Sequence, residues 1–162
     1  VMAAMIFMQR MANLQAESSH AVNIPTEESP LNDDEKAILT EAQGRILLYH
    51  MEGPLSFGAA KGMVRRLAHF SEYDSLVIDL SGVPSVDFTS AMAINDMVCD
   101  TLESDERYVF FVGLRPKVQS FLEKQCVLEK VDKGHIFKER HTALCHAARV
   151  INVNPEACKN IN

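Results

Sequence analysis

Two carboxylates, Asp79 and Asp87, bracket a turn that also holds Ser81 and Ser85, and Thr89 and Ser90 follow it directly. Acids and hydroxyls gathered at the end of an apolar run invite the chemistry of an activated nucleophile. That chemistry needs a base within hydrogen-bond reach and a third group that orients the base. No G-x-S-x-G elbow surrounds any of these serines. A carboxylate at a strand end or a helix start is more simply a turn or capping group, so the expectation is that the chain is not an enzyme. His141, Cys145 and His146 fall in one predicted helix, with His141 and Cys145 on one face at i and i+4. Such a pair holds zinc only when two further ligands arrive, and His20, His50, His69 and His135 form no pattern that supplies them. Neither a metal nor a cofactor is expected. The glycines never fall into G-x-G-x-x-G or a Walker A loop. An anion such as a nucleotide phosphate keeps one place, the N-terminus of the helix carrying Ala91, where free N–H groups attract negative charge.

The elements that must position these residues are read from periodicity. Leu76-Val77-Ile78 is a continuous apolar run, the pattern of a strand buried on both faces. Asp79 to Pro84 breaks it, and Ala91, Ile94, Val98 and Leu102 then mark the inner stripe of a helix. Thr89 or Ser90 is the expected N-cap, with Asp87 adding negative charge at the positive end of the helix dipole. Upstream, Ala37 to Thr40 and Arg45 to His50 read as two strands of a hairpin turning at Gln43-Gly44. Gly58 opens a helix with Ala60, Met63, Val64 and Leu67 inward, and Lys61, Arg65 and Arg66 on another face. Downstream come a strand at Tyr108 to Val112, a helix from Pro116, an edge strand or loop at Val127 to Val131, and a helix at Lys138 to Ile151. Strands alternating with helices predict an α/β domain with a mixed sheet of four to five strands.

Before this domain, residues 17–36 hold the run IPTEESPLNDDEK, acidic and poor in apolar groups, which predicts an extended linker. Residues 152–162 read as a flexible tail. Val1 to Met8 is almost wholly apolar but far short of the ~20 residues that cross a bilayer. Residues 1–16 therefore read either as a short surface helix or as a juxtamembrane helix, the last turns of a membrane segment. Phe7, Met11 and Leu14 fall at helical spacing there. A start at Val1 suggests a piece of a longer protein. A net charge of −6 argues against nucleic acid and against an anionic membrane surface. Cys99, Cys126, Cys145 and Cys158 are widely spaced without C-x-x-C, and read as free thiols in a reducing compartment.

The strand ending in Asp79-Leu80-Ser81, the turn from Val83-Pro84 through Val86-Asp87 to Thr89-Ser90, and the helix after it resemble the core of a STAS domain. Gly53-Pro54-Leu55-Ser56-Phe57 is similar to the entry motif of one branch, the domains at the cytoplasmic C-termini of SulP-family anion transporters. The resemblance covers roughly Gln43 to Ile151, and with the first expected strand included the STAS domain is read as 37–151. It implies a STAS fold with helices mainly on one face of the sheet, and a regulatory and dimerisation role on the cytoplasmic face of the plasma membrane. The implied partners are the transmembrane domain of the same transporter, a second protomer, and a nucleotide or regulatory protein. The run from Gly53 to Leu67 looks most like cyanobacterial members, implying sodium-dependent bicarbonate uptake, with sulfate as the alternative substrate. Phe7, Met11 and Leu14 would then face a neighbouring subunit. Lys61, Arg65 and Arg66 would contact the linker, the membrane domain or a second protomer, unless they form a solvated face. The rival within the family is a free-standing switch such as an anti-sigma-factor antagonist, in which a serine directly after the motif aspartate is phosphorylated. Here that position is Phe88, which leaves Asp87, Thr89 and Ser90 as the candidate phospho-switch and favours the transporter branch.

Overall fold

Alternation of apolar side chains between two cores commits three strands to the centre of the sheet. In β2 (Ile46–Glu52), Leu47, Tyr49 and Met51 enter one core while Ile46 and Leu48 enter the other. β3 (Ser75–Gly82) repeats this with Leu76, Ile78 and Leu80 against Val77, and β4 (Tyr108–Val112) with Val109 and Phe111 against Phe110 and Val112. The computed structural model describes residues 19–23, 25, 29, 31–55, 62 and 64–161. Phe7, Met11, Leu14 and Lys61 lie outside them. The five strands run in the order β1-β2-β3-β4-β5. β1 (Ser19–Val22) pairs antiparallel with β2, and the remaining pairs, out to the short β5 (Ile136–Phe137), are parallel.

Right-handed crossovers between successive parallel strands must all lie on one face. α2 (Phe88–Leu102), α3 (Pro116–Lys124) and the helical residues 64–67 accordingly share a core through Leu67, Ile94, Val98, Val118 and Leu122. α1 (Asp33–Ala42) and α4 (Arg140–Val150) are not parallel crossovers, and they cover the opposite face through Ile38, Leu39, Leu144 and Ala148. Helices therefore flank both faces of the mixed sheet, where mainly one was expected.

The structure corrects several readings. Ala37 to Thr40 is helical, because Asn32 and Glu35 close a reciprocal capping box: Glu35 N donates to Asn32 Oδ1 at 2.8 Å and Asn32 N to Glu35 Oε2 at 3.4 Å. Gln43, left-handed at φ 52°, then ends a helix rather than turning a hairpin. The expected linker over 17–36 contains β1 and the first turn of α1. Val64 is exposed rather than inward, and residues 128–130 form a 3-10 turn. Residues 152–161, beyond α4, pack back on the domain where a flexible tail was expected. Asn152, at φ 62°, donates to Arg149 O, and Val153 N reaches back to Ala148 O. Pro155 and Cys158 are buried, and a Cys145–Cys158 disulfide joins the 3-10 turn Glu156–Cys158 to α4. Only Cys99 and Cys126 are free.

Gly113 ends β4 at φ 66°, and a Cβ added there would lie 2.5 Å from Ser81 Cβ. Gly113→Ala therefore combines a left-handed backbone with a clash between neighbouring strand ends. It is expected to lower the unfolding free energy by about 2 kcal/mol or more in urea titration.

Candidate functional site

His50 and Asp79 are Cα partners in the parallel β2–β3 register, so their side chains emerge side by side on the α1/α4 face. Their bond, His50 Nδ1 to Asp79 Oδ2, is 2.9 Å long and buried. His50 Nε2 faces Glu52 Oε1, also at 2.9 Å, so carboxylates flank the ring on both sides, and in the imidazolium form each nitrogen donates to one of them. Arg140, the first residue of α4, spans from Asp79 Oδ2 (Nη1, 3.2 Å) to Glu35 Oε2 (Nη2, 2.8 Å). The other oxygen of Asp79 accepts from the backbone N and the hydroxyl of Ser81, at 3.0 and 2.6 Å. The C-terminal ends of two central strands and the first turns of two helices are thus tied into one network.

Serine, histidine and aspartate meet here in the wrong order for nucleophilic catalysis. The Ser81 hydroxyl donates to the carboxylate, while the second nitrogen of His50 is spent on Glu52. Burial pushes the Asp79 carboxyl up, yet hydrogen bonds from His50 and Ser81 outweigh it and hold the group at about 2. A carboxylate so stabilised is a poor proton acceptor. His50 is raised, chiefly by its bond to Asp79, against the lowering effect of burial and with Glu52 assisting. The arrangement is a device for holding elements together.

The sequence-predicted switch lies at the other end of the β3–α2 turn. Asp87 itself is the N-cap, its Oδ1 accepting from Ser90 N at 2.7 Å, in place of the Thr89 or Ser90 cap expected. Its carboxylate sits where a phosphate would be drawn, which argues against an anion there. Ser90 is fully buried, Thr89 is exposed, and Phe88 projects outward at 59% exposure. Arg65 is exposed and Arg66 half-buried. His141 does approach Cys145 (Nε2 to Sγ, 3.8 Å), but that sulfur is in the disulfide. Among the described residues no group of three or more metal-ligating side chains converges, and no helix is long and apolar enough to cross a membrane. Sequence reasoning missed the network. Its available signals were His50 two residues before Glu52 at the end of one strand, and Asp79 at the end of the next.

The network has a defined pH signature. Asp79, at about 2 when folded against 3.8 ordinarily, contributes stability in full above pH 3.8 and loses it as pH falls through 2. His50, raised above 6.5, contributes in full below pH 6.5 and loses it as pH climbs through the folded value. Urea titrations across pH should therefore show stability falling on the alkaline side of 6.5. His50→Gln should lack that alkaline slope and be less stable than the wild type at pH 6.

Comparison with known proteins agrees with this architecture. The STAS domain profile matches residues 37–143. The Bicarbonate transporter BicA of Picosynechococcus sp. is 31% identical over 159 residues, 98% of this chain and 28% of that protein. The chain thus spans about a quarter of that relative's length. Among solved structures, a sulfate transporter family protein from Wolinella succinogenes superposes with a TM-score of 0.61 at 16% identity, over 82% of this chain and 99% of that one. A SulP transporter STAS domain from Vibrio cholerae gives a TM-score of 0.57 at 24% identity, over 67% and 84%. At these identities the structures speak to the fold, and the fold is the one described above. From the profile match, the sequence identity and the shared mixed sheet, the chain belongs to the STAS domain family.

Proposed function

We propose that the chain is the STAS domain of a SulP-type anion transporter, on the cytoplasmic face of the membrane, and that bicarbonate, taken up with sodium, is the transported ion. The observation that carries this reading is the extent of the identity to the bicarbonate transporter: it runs over 98% of the chain, while the STAS profile itself covers only 37–143. Kinship therefore includes the segments flanking the domain and not the fold alone. In this reading the domain performs no chemistry and moves no ion. It pairs protomers, with Phe7, Met11 and Leu14 at the subunit surface, and passes regulatory signals to the transmembrane part. Phe88 disfavours the free-standing phospho-switch, since its ring offers no hydroxyl. Of the neighbouring hydroxyls, Ser90 is buried and Thr89 is exposed, so any phosphoryl group this turn accepts goes on Thr89.

The test is uptake of labelled bicarbonate and labelled sulfate by the parent transporter, with and without residues 37–162. Sodium-dependent bicarbonate uptake that falls several-fold on deletion is expected. Sulfate uptake alone would replace the substrate, and uptake of neither anion would remove the transporter reading.

A further inference from the structure

The disulfide contradicts what the spacing of the cysteines suggested, and its surroundings give it a use. Cys145 lies on α4, 1% exposed, and Cys158 on the following 3-10 turn, 7% exposed, with Cα atoms 5.6 Å apart. Residues 152–161 cross from the end of α4 over the α1/α4 layer, and the 3-10 turn packs directly on α1. A cavity of about 290 Å³ opens beside the bond, lined by both cysteines and by Arg149, Pro155, Lys159 and Ile161. Of the two cations at its wall, Lys159 is paired with Glu156 at 2.7 Å, and the Arg149 guanidinium favours the approach of an anionic thiolate. On the α4 side, His141 Nε2 lies 3.8 Å from Cys145 Sγ, one helical turn away, placed to donate to that sulfur as it leaves.

We propose that Cys145 and Cys158 are a thiol–disulfide exchange site through which a dithiol releases and refastens the strap 152–161. The dithiol's thiolate attacks Cys158 Sγ, the S–S bond breaks, and its electron pair leaves on Cys145 Sγ, which takes up a proton. The second thiol of the dithiol then displaces Cys158 from the mixed disulfide. The dithiol ends oxidised to a disulfide, and the pair ends as two thiols. Apart from the Cys145–Cys158 bond, the strap is held by the turn closing α4, one bond from Arg149 to Ile161 O at 2.8 Å, the packing of the 3-10 turn on α1, the buried Pro155, and the partly buried Val153, Ala157 and Ile161. Opening the bond returns chain freedom to the loop it closed. Release then uncovers part of α1, whose Glu35 holds Arg140. This inference goes beyond the transporter reading and does not depend on it.

The test equilibrates the folded chain in reduced and oxidised dithiothreitol, without denaturant, then combines thiol alkylation with hydrogen exchange. In reduced buffer, Cys145 and Cys158 should become alkylated, and amides of 152–161 should exchange about tenfold faster or more, returning to slow exchange on reoxidation. Cys158→Ser should exchange fast in both buffers, whereas Cys126→Ser, at an exposed free thiol, should follow the wild type. Full reduction with the strap equally protected would overturn the proposal. So would a native chain whose pair resists dithiothreitol until urea is added, or one that forms no disulfide in oxidised buffer.

Discussion

Asp79 sits near the end of the central strand β3 at 1% exposure, and both of its oxygens are engaged, Oδ1 by Ser81 two residues on and Oδ2 by His50 and Arg140 from elsewhere in the fold. A carboxylate buried without such partners would be prohibitively costly. Because β3 is hydrogen-bonded on both sides, it cannot move to meet its partners, so they must come to it. The β2 register delivers His50, and the first turn of α4 delivers Arg140, which in turn engages Glu35 of α1. A cation at a helix N-terminus runs against the dipole, so the position of Arg140 is set by the carboxylates. The layer of α1 and α4 is thereby fixed on the sheet by charge as well as by the shape of its apolar side chains.

The strand order has a second consequence. In open parallel sheets, ligand crevices arise where the order of strands reverses. Here β2 to β5 advance in one direction without reversal, so no such crevice forms, and the sheet faces are already covered by helices. At the one helix start where an anion was anticipated, Asp87 supplies the negative charge itself. Beside that helix start the ring of Phe88 projects outward.

β2, β3, β4 and α2 were legible because their apolar runs and stripe are bounded by Asp, Gly and Pro. Residues 37–40 were not, because four residues carry too little periodicity to separate strand from helix. The deciding signal lay upstream, in Asn32 and Glu35 at capping-box spacing, within a stretch whose acidity suggested a linker. β1 was hidden for the same reason: four residues on a sheet edge have no alternation of their own, and pairing with β2 defines them. The network was illegible because its members, at 35, 50, 79 and 140, become neighbours only through sheet register and helix placement. The pairing of Cys145 with Cys158 depends likewise on the αL turn at Asn152, which folds the tail back onto α4.

The two layers of helices are not equivalent in how they can respond. α2 and α3 are each held between consecutive parallel strands, so neither can shift far without disturbing the ladders on both sides. α4 follows the two-residue edge strand β5 and is joined to the sheet at one end only, and α1 joins an antiparallel pair. Their position therefore rests on side-chain contacts, with the ion network at the start of α4 and the disulfide-bonded strap beyond its end. Because a helix of this length is stiff, a change at either attachment is carried along α4 to α1. Protonation acts on the first and thiol exchange on the second, so the layer least constrained by the sheet is the one that both chemistries reach.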